Sequence, residues 1–165
     1  MIALAGHAGV RFASLTMRAL RMAGFGRSYV PGGGASAVAS LPFVGNLLSS
    51  DPVRYARTAA IVDAEPALGL GSPTVAWIDA AYRAMRAFAE PQFAGHVRQP
   101  ILIVAAGQDE VVSTPATAKF AERLRVGSHL VVAGARHEIL MERDRYRAQF
   151  WAAFDAFVPG TPLFE

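Results

Sequence analysis

Two residues of this chain have the types and the spacing to do acid–base chemistry together, Asp109 and His137. Asp109 follows the apolar run Pro100-Ile-Leu-Ile-Val104 and its exit Ala-Ala-Gly107. His137 follows His129-Leu-Val-Val132 and the turn Ala133-Gly-Ala-Arg136. Short runs rich in β-branched residues and closed by glycine suit strands buried on both faces of a parallel sheet. In such sheets reacting groups gather beyond the carboxyl ends of the strands, so a carboxylate and an imidazole leaving adjacent strands can meet. The acid would hold the ring in one tautomer and stabilise the imidazolium, leaving the other nitrogen to act as a base. Each residue also has a plainer reading. Asp109-Glu110 after a glycine is ordinary turn chemistry, and a lone loop histidine is commonly solvated. Spacing alone leaves both readings open.

The elements that must position this pair fill residues 97–165. The strand at Pro100–Val104 leads to a helix opened by Thr114-Pro115, which carries Phe120 and Leu124 and ends near Gly127. A second strand at residues 129–132 follows. A last helix begins near Glu142, buries Tyr146, Phe150, Phe154 and Phe157, and stops at Pro159-Gly160. Strand, helix, strand, helix with short turns is a parallel α/β layout.

Residues 1–96 read differently. An amphipathic helix near the start carries Phe12, Leu15, Ala19 and Met22 on one face and Arg11, Ser14, Arg18 and Arg21 on another, and Gly24-Phe-Gly26 ends it. Irregular chain runs from Pro31-Gly-Gly-Gly34 to Leu41-Pro42. Asp51 then caps a helix whose first position is Pro52, and Pro66 stops it. Ser72-Pro73 repeats that device, Val75, Ile78, Tyr82, Met85 and Phe88 follow at helical spacing, and Pro91 closes the helix.

Composition narrows the function classes. More than half the chain is apolar, and only 18% is charged, so much of its surface wants covering. There is no cysteine, which removes disulfides, thiolate metal sites and a thiol nucleophile. Fifteen arginines and one lysine face thirteen acids, and the excess lies in residues 1–50, where Arg11, Arg18, Arg21 and Arg27 meet no acid. Without a basic stripe or interleaved aromatics, nucleic acid is not an expected partner. His137-Glu138 opens like a zinc-binding helix, but Met141 stands where the second histidine would be, and the four histidines are far apart. Neither Gly24-Phe-Gly26 nor Gly69-Leu-Gly71 has the third glycine of a dinucleotide loop, and no Gly-Lys pair marks a phosphate loop. No cofactor and no metal are expected. The arginines interrupt any secretory signal, and no apolar run approaches a membrane span.

The wording around the pair resembles a known family. Pro100-Ile-Leu-Ile-Val-Ala-Ala-Gly-Gln-Asp109 resembles the strand that delivers the triad acid in α/β-hydrolases. Leu130-Val-Val-Ala-Gly-Ala-Arg-His137-Glu-Ile-Leu-Met-Glu142 resembles the segment that delivers the triad histidine, most like the bacterial lysophospholipase and monoacylglycerol lipase group (serine aminopeptidase-like). Phe150-Trp-Ala-Ala-Phe154 is similar to that group's final helix. Ser50-Asp-Pro-Val-Arg-Tyr55 and Gly69-Leu-Gly-Ser-Pro-Thr74 are similar to its helical cap over the acyl pocket. The resemblance implies a partial α/β-hydrolase fold. Residues 1–96 would hold the start of the fragment and the helical cap or lid (cap proper about 10–95), and residues 97–165 the C-terminal core segment with the triad acid and histidine. It implies an esterase of lipid metabolism with Asp109 and His137 as catalytic residues and an acyl ester or lysophospholipid as substrate. It further implies a cytoplasmic protein with peripheral membrane contact through the cap.

One departure bears on activity. These enzymes carry their serine in Gly-x-Ser-x-Gly, a strained elbow between strand and helix, in the chain order serine, acid, histidine. None of the nine serines here sits in that frame; Ser28 in Gly26-Arg-Ser-Tyr-Val30 and Ser36 in Gly34-Ala-Ser-Ala-Val38 both lack the second glycine. Met1-Ile-Ala-Leu-Ala5 would lie just after the strand that ends the serine-bearing part. The expectation is a chain inactive alone, without nucleophile or oxyanion hole, that needs a complementing N-terminal half. A parallel strand lacking neighbours would leave an apolar edge, so self-association is expected too. The rival reading is a non-catalytic lipid-binding or protein-interaction module derived from the same fold.

Overall fold

A computed structural model describes residues 7–36 and 41–158. The expectations placed on Met1–Ala5, on part of the Pro31–Pro42 stretch, and on the stop at Pro159-Gly160 lie outside the described residues. Helix α1 is His7–Met22, α2 Pro52–Ala64, α3 Val75–Ala89, α4 Pro91–His96, α5 Thr114–Ala121 and α6 Asp144–Phe157; strands β1 and β2 are Ile101–Ala106 and Gly127–Val132. The chain divides into two compact units, residues 1–46 with 55–93, and residues 47–54 with 94–165. No helix among the described residues is long and apolar enough to cross a membrane.

The first unit is helical. Helix α1 ends at Gly24, whose φ of +93° is the left-handed conformation that favours glycine; a Cβ there would meet nothing within 4 Å, so the dihedral alone accounts for the residue. The amphipathic pattern of α1 is present but turned outward. Phe12, Leu15 and Met22 are 74%, 65% and 78% exposed, while Ser14 is buried and accepts a hydrogen bond from Arg86 Nη1 on α3. Charge explains the inversion. Arg21 reaches the buried Asp79 of α3 at 3.0 Å, and Arg83 reaches the same carboxylate oxygen at 2.7 Å. That polar seam fixes which side of α1 faces α3.

Capping follows the sequence with one shift. Asp51 Oδ1 accepts from Val53 N at 2.9 Å and Arg54 N at 3.1 Å, and α2 starts at Pro52 as expected. For α3 the expected Ser72-Pro73 start is displaced, and Thr74 Oγ1 caps Trp77 N at 3.3 Å instead. The Ser72 hydroxyl is engaged elsewhere, accepting from Gly34 N at 3.1 Å. Pro91 ends α3 and also opens α4.

The second unit is the parallel α/β part. Strands β1 and β2 pair in parallel from Ile101 opposite Gly127 to Ala106 opposite Val132, with α5 as the crossover. Strand β2 starts two residues before the expected His129 because the pairing extends to the foot of β1, where Ile101 N donates to Val126 O. Helix α5 opens at Thr114 as expected, with Ser113 as its cap, and the Thr114 hydroxyl donates to Ala106 O at the end of β1. The core is small: Ala106, Val132, Ala135 and Ile139 are buried, with Val104, Leu130, Tyr146 and Phe150 packed on them.

Two burial expectations are corrected. Ile101, Leu102, Ile103 and Val104 are half-buried rather than covered on both faces, since β1 has a single sheet neighbour among the described residues. On α6, Tyr146 and Phe150 reach the core, but Phe154 is largely exposed. This helix starts at Asp144, two residues after Glu142, because the Glu142 side chain is turned inward rather than left at a helix start.

Candidate active site

The two strand ends are drawn together by their own backbone. Past β1, Gly107 N donates to Val132 O at 3.0 Å and Gln108 N to Ala135 O at 2.9 Å, which zips the acid loop to the histidine loop. Both loops need glycine for this. A Cβ on Gly107 would lie 3.0 Å from Ala133 Cα, and Gly134 has φ +81° with the Tyr146 hydroxyl 2.9 Å from where its Cβ would stand.

Asp109 and His137 emerge from these loops and meet. His137 Nδ1 lies 2.9 Å from Asp109 Oδ2. The other carboxylate oxygen accepts from Val111 N at 2.8 Å and Val112 N at 2.9 Å, so the side chain has no rotational freedom to leave its partner. Burial pushes the Asp109 carboxyl up, but the Val112 and Val111 amides and the His137 ring outweigh it and hold the group below the ordinary carboxylate range. An ionised carboxylate only accepts, so Nδ1 must be the protonated nitrogen. Nε2 has no hydrogen-bond partner among the described residues. The Asp109 side chain is 5% exposed and that of His137 32%, which leaves the ring reachable and its anchor covered. This arrangement can accept a proton at Nε2 and carry the resulting charge beside a carboxylate.

A second carboxylate supports the loop, and sequence reasoning quoted it without seeing its role. Glu142 is fully buried. Its Oε1 accepts from Ser50 N at 2.9 Å and Arg136 N at 3.0 Å, and its Oε2 from Ser50 Oγ at 2.6 Å and Arg143 N at 3.2 Å. Burial pushes this carboxyl up, and the Ser50 hydroxyl with the Arg136, Ser50 and Arg143 amides brings it below its ordinary value. Around it, Ser49 Oγ donates to Met141 O at 2.6 Å, Arg54 Nη1 to Glu142 O at 2.9 Å, and Glu138 N to Leu48 O at 2.8 Å. Hydrophobic periodicity carries no trace of this contact, because residues 48–51 and 136–143 lie outside the regular helices and strands and far apart in the chain. The available signal was the motif itself, an acid closing His137-Glu-Ile-Leu-Met-Glu142 where no turn of helix yet requires one.

No group of three or more His, Asp or Glu side chains able to hold a metal exists among the described residues. No serine hydroxyl among them hydrogen-bonds His137: those of Ser49 and Ser50 bond Met141 O and Glu142, and Ser72 and Ser113 accept from backbone amides.

Comparison with known proteins bears on the family and the fold. The family model described as serine aminopeptidase, S33, matches residues 10–144. The chain is 30% identical over 116 residues to Lysophospholipase L2 of Escherichia coli (strain K12), covering 66% of this chain and 34% of that protein. It is 27% identical over 144 residues to the Probable lysophospholipase L2 of Haemophilus influenzae, covering 87% of this chain and 45% of that one. Among solved structures, a soluble variant of monoglyceride lipase from Saccharomyces cerevisiae in complex with a substrate analog superposes with a TM-score of 0.61 at 12% identity. That match covers 87% of this chain and 47% of the lipase, and it bears on the fold alone. The chain thus spans between a third and a half of the length of the curated relatives it matches. With a parallel α/β unit that forms part of the α/β-hydrolase fold and a family match over residues 10–144, the chain belongs to the serine aminopeptidase, S33, family.

Proposed function

We propose that Asp109 and His137 are the acid and the general base of a serine-ester hydrolase acting on lysophospholipids or monoacylglycerol-like esters. The observation that carries this reading is the 2.9 Å contact between Nδ1 and a covered, ionised carboxylate, with Nε2 facing outward. In the reaction Nε2 takes the proton of a serine hydroxyl as it attacks the ester carbonyl, then returns it to the leaving alcohol. Asp109 stabilises the imidazolium between these steps. The names of the curated relatives, both lysophospholipases, support the lipid ester as substrate class. Residues about 10–95 form the cap that receives the acyl chain. The outward apolar face of α1, flanked by the exposed Arg11 and Arg18, supports contact with an anionic lipid surface.

The nucleophile and the oxyanion hole lie, in this reading, outside these 165 residues. The absence of Gly-x-Ser-x-Gly supports it, as does the lack of any hydroxyl bonded to His137 among the described residues. A fluorophosphonate probe, which labels an activated serine, is therefore expected to leave the chain alone unmarked. The positive test is the reading frame upstream of Met1. A protein extended through that frame is expected to supply Gly-x-Ser-x-Gly and to hydrolyse a lysophospholipid or a monoacylglycerol. Asp109→Asn should then lower kcat by about ten-thousand-fold, the loss found when a triad acid is neutralised. Probe labelling of the 165-residue chain, or an extended protein indifferent to Asp109→Asn, would overturn the proposal.

A further inference from the structure

We infer that Glu142 is a positioning residue for His137, holding the histidine backbone so that Nδ1 stays on Asp109. The inference rests on the reading of His137 as the general base and adds to it a residue that never touches substrate.

The backbone N–H groups of the two residues flanking His137 are tied to one cluster. The preceding N–H, on Arg136, donates to Glu142 Oε1 at 3.0 Å, and the following N–H, on Glu138, donates to Leu48 O at 2.8 Å. Leu48 belongs to the short segment whose Ser50 donates twice to the same Glu142 carboxylate. One buried anion thus fixes both the histidine loop and the strip of chain on which the other side of that loop rests. The remaining bonds close the cluster: Arg143 N on Oε2, Ser49 Oγ on Met141 O, Arg143 Nε on Ser50 O at 3.3 Å.

Such an arrangement suits positioning better than stability alone. A buried carboxylate costs desolvation, and an apolar residue of similar size often serves stability as well. Four donors converging on one carboxylate instead fix loop geometry, because each N–H···O⁻ bond loses strength steeply with misdirection. The loop has little regular structure of its own, and Gln108 N on Ala135 O is its tie to the acid loop. It lies between β2 and α6, makes only a short 3-10 turn at Ile139–Met141, and buries Ala135 and Ile139 as its apolar contribution.

The test reads the imidazole directly and needs no nucleophile, so it stands apart from the hydrolysis assay. A failed assay in the extended protein would remove the proposed activity and leave the positioning result intact. In the 165-residue chain, the ring 15N shifts of His137 report its tautomer, and exchange of its Nδ1 proton with solvent reports how often the contact opens. Glu142→Ala is expected to mix the tautomers and to speed that exchange by roughly tenfold or more. Glu142→Gln, whose amide oxygen can still accept from Arg136 N, should recover part of the effect. Should Glu142→Ala unfold, Glu142→Asp carries the decision, keeping the charge while withdrawing it by one methylene; it is expected to give an intermediate rate. His129, on β2, serves as the internal control and should not change. A folded Glu142→Ala or Glu142→Asp chain whose His137 tautomer and exchange match the parent overturns the inference, as does a change that appears equally at His129.

Discussion

Among the described residues each unit buries one carboxylate completely, and the two are treated in opposite ways. In the α/β unit, Glu142 has both oxygens occupied, by three backbone amides and one hydroxyl. In the helical unit, Asp79 receives two guanidinium groups on a single oxygen, and its Oδ1 has no partner among the described residues. The arginines that serve Asp79 are each about half exposed, with side chains 47% and 49% accessible. Backbone donors belong to a loop and fix its path, whereas long arginine side chains reach in from solvent and tolerate movement of the helices that carry them. The first pattern suits a site whose geometry matters to a few tenths of an ångström. The second suits helices that need only stay adjacent.

The comparison can be broken by deleting each acid. Glu142→Ala takes the acceptor from four part-buried donors and leaves a cavity, and is expected to cost about 3 kcal/mol. Asp79→Ala releases two arginines that can turn to water and is expected to cost about 1 kcal/mol or less. Urea denaturation of both variants measures the difference, and equal losses would erase the distinction between the two units.

The left-handed glycines sharpen it. Gly134→Ala meets both the dihedral penalty and the Tyr146 hydroxyl, and should cost about 2 kcal/mol or more. Gly24→Ala meets the dihedral penalty in open space, and about 1 kcal/mol is expected from the same measurement. A larger loss at Gly24 would mean that the histidine loop is the more yielding of the two.

Acid should act mainly on the α/β unit. Asp109 and Glu142 both titrate lower in the fold than in the unfolded chain, so the unfolded chain binds protons first as pH drops. Their contribution is complete above the unfolded values, near about 4, and is lost as pH falls through the depressed folded ones. Melting temperatures followed from about pH 7 down to about pH 3 should fall less steeply for Glu142→Gln than for the parent. An identical slope would show that Glu142 is not depressed.

The smallest effect is expected on the outward face of α1. Phe12→Ser should change stability by no more than about 0.5 kcal/mol, since that ring is already in water. It should nevertheless weaken co-sedimentation with anionic vesicles, and unchanged sedimentation would remove the membrane reading of that face.

Legibility in the sequence followed the same division. The strands, α5 and the meeting of Asp109 with His137 were readable because glycine-closed β-branched runs impose the layout and the topology then brings the strand ends together. The cap was readable where the side chain bonds its own helix, as at Asp51, and misplaced where a distant segment takes the hydroxyl, as at Ser72, which serves Gly34. The orientation of α1 was not readable from periodicity. Phe12, Leu15 and Met22 do share a face, but the Arg21–Asp79–Arg83 seam decides which face turns inward, and a long-range ion pair leaves no period in the sequence. Glu142 was hidden for the same reason, its partners at Ser50 lying 92 positions away.

The pairing of Asp109 with His137 can be read in one spectrum. Long-range 1H–15N correlations of the His137 ring, recorded near neutral pH on the parent chain and on Asp109→Asn, report which nitrogen holds the proton. The parent should show a single tautomer protonated on Nδ1, and the variant a mixture or the opposite tautomer. A parent ring protonated chiefly on Nε2, or a spectrum indifferent to the substitution, would contradict the account.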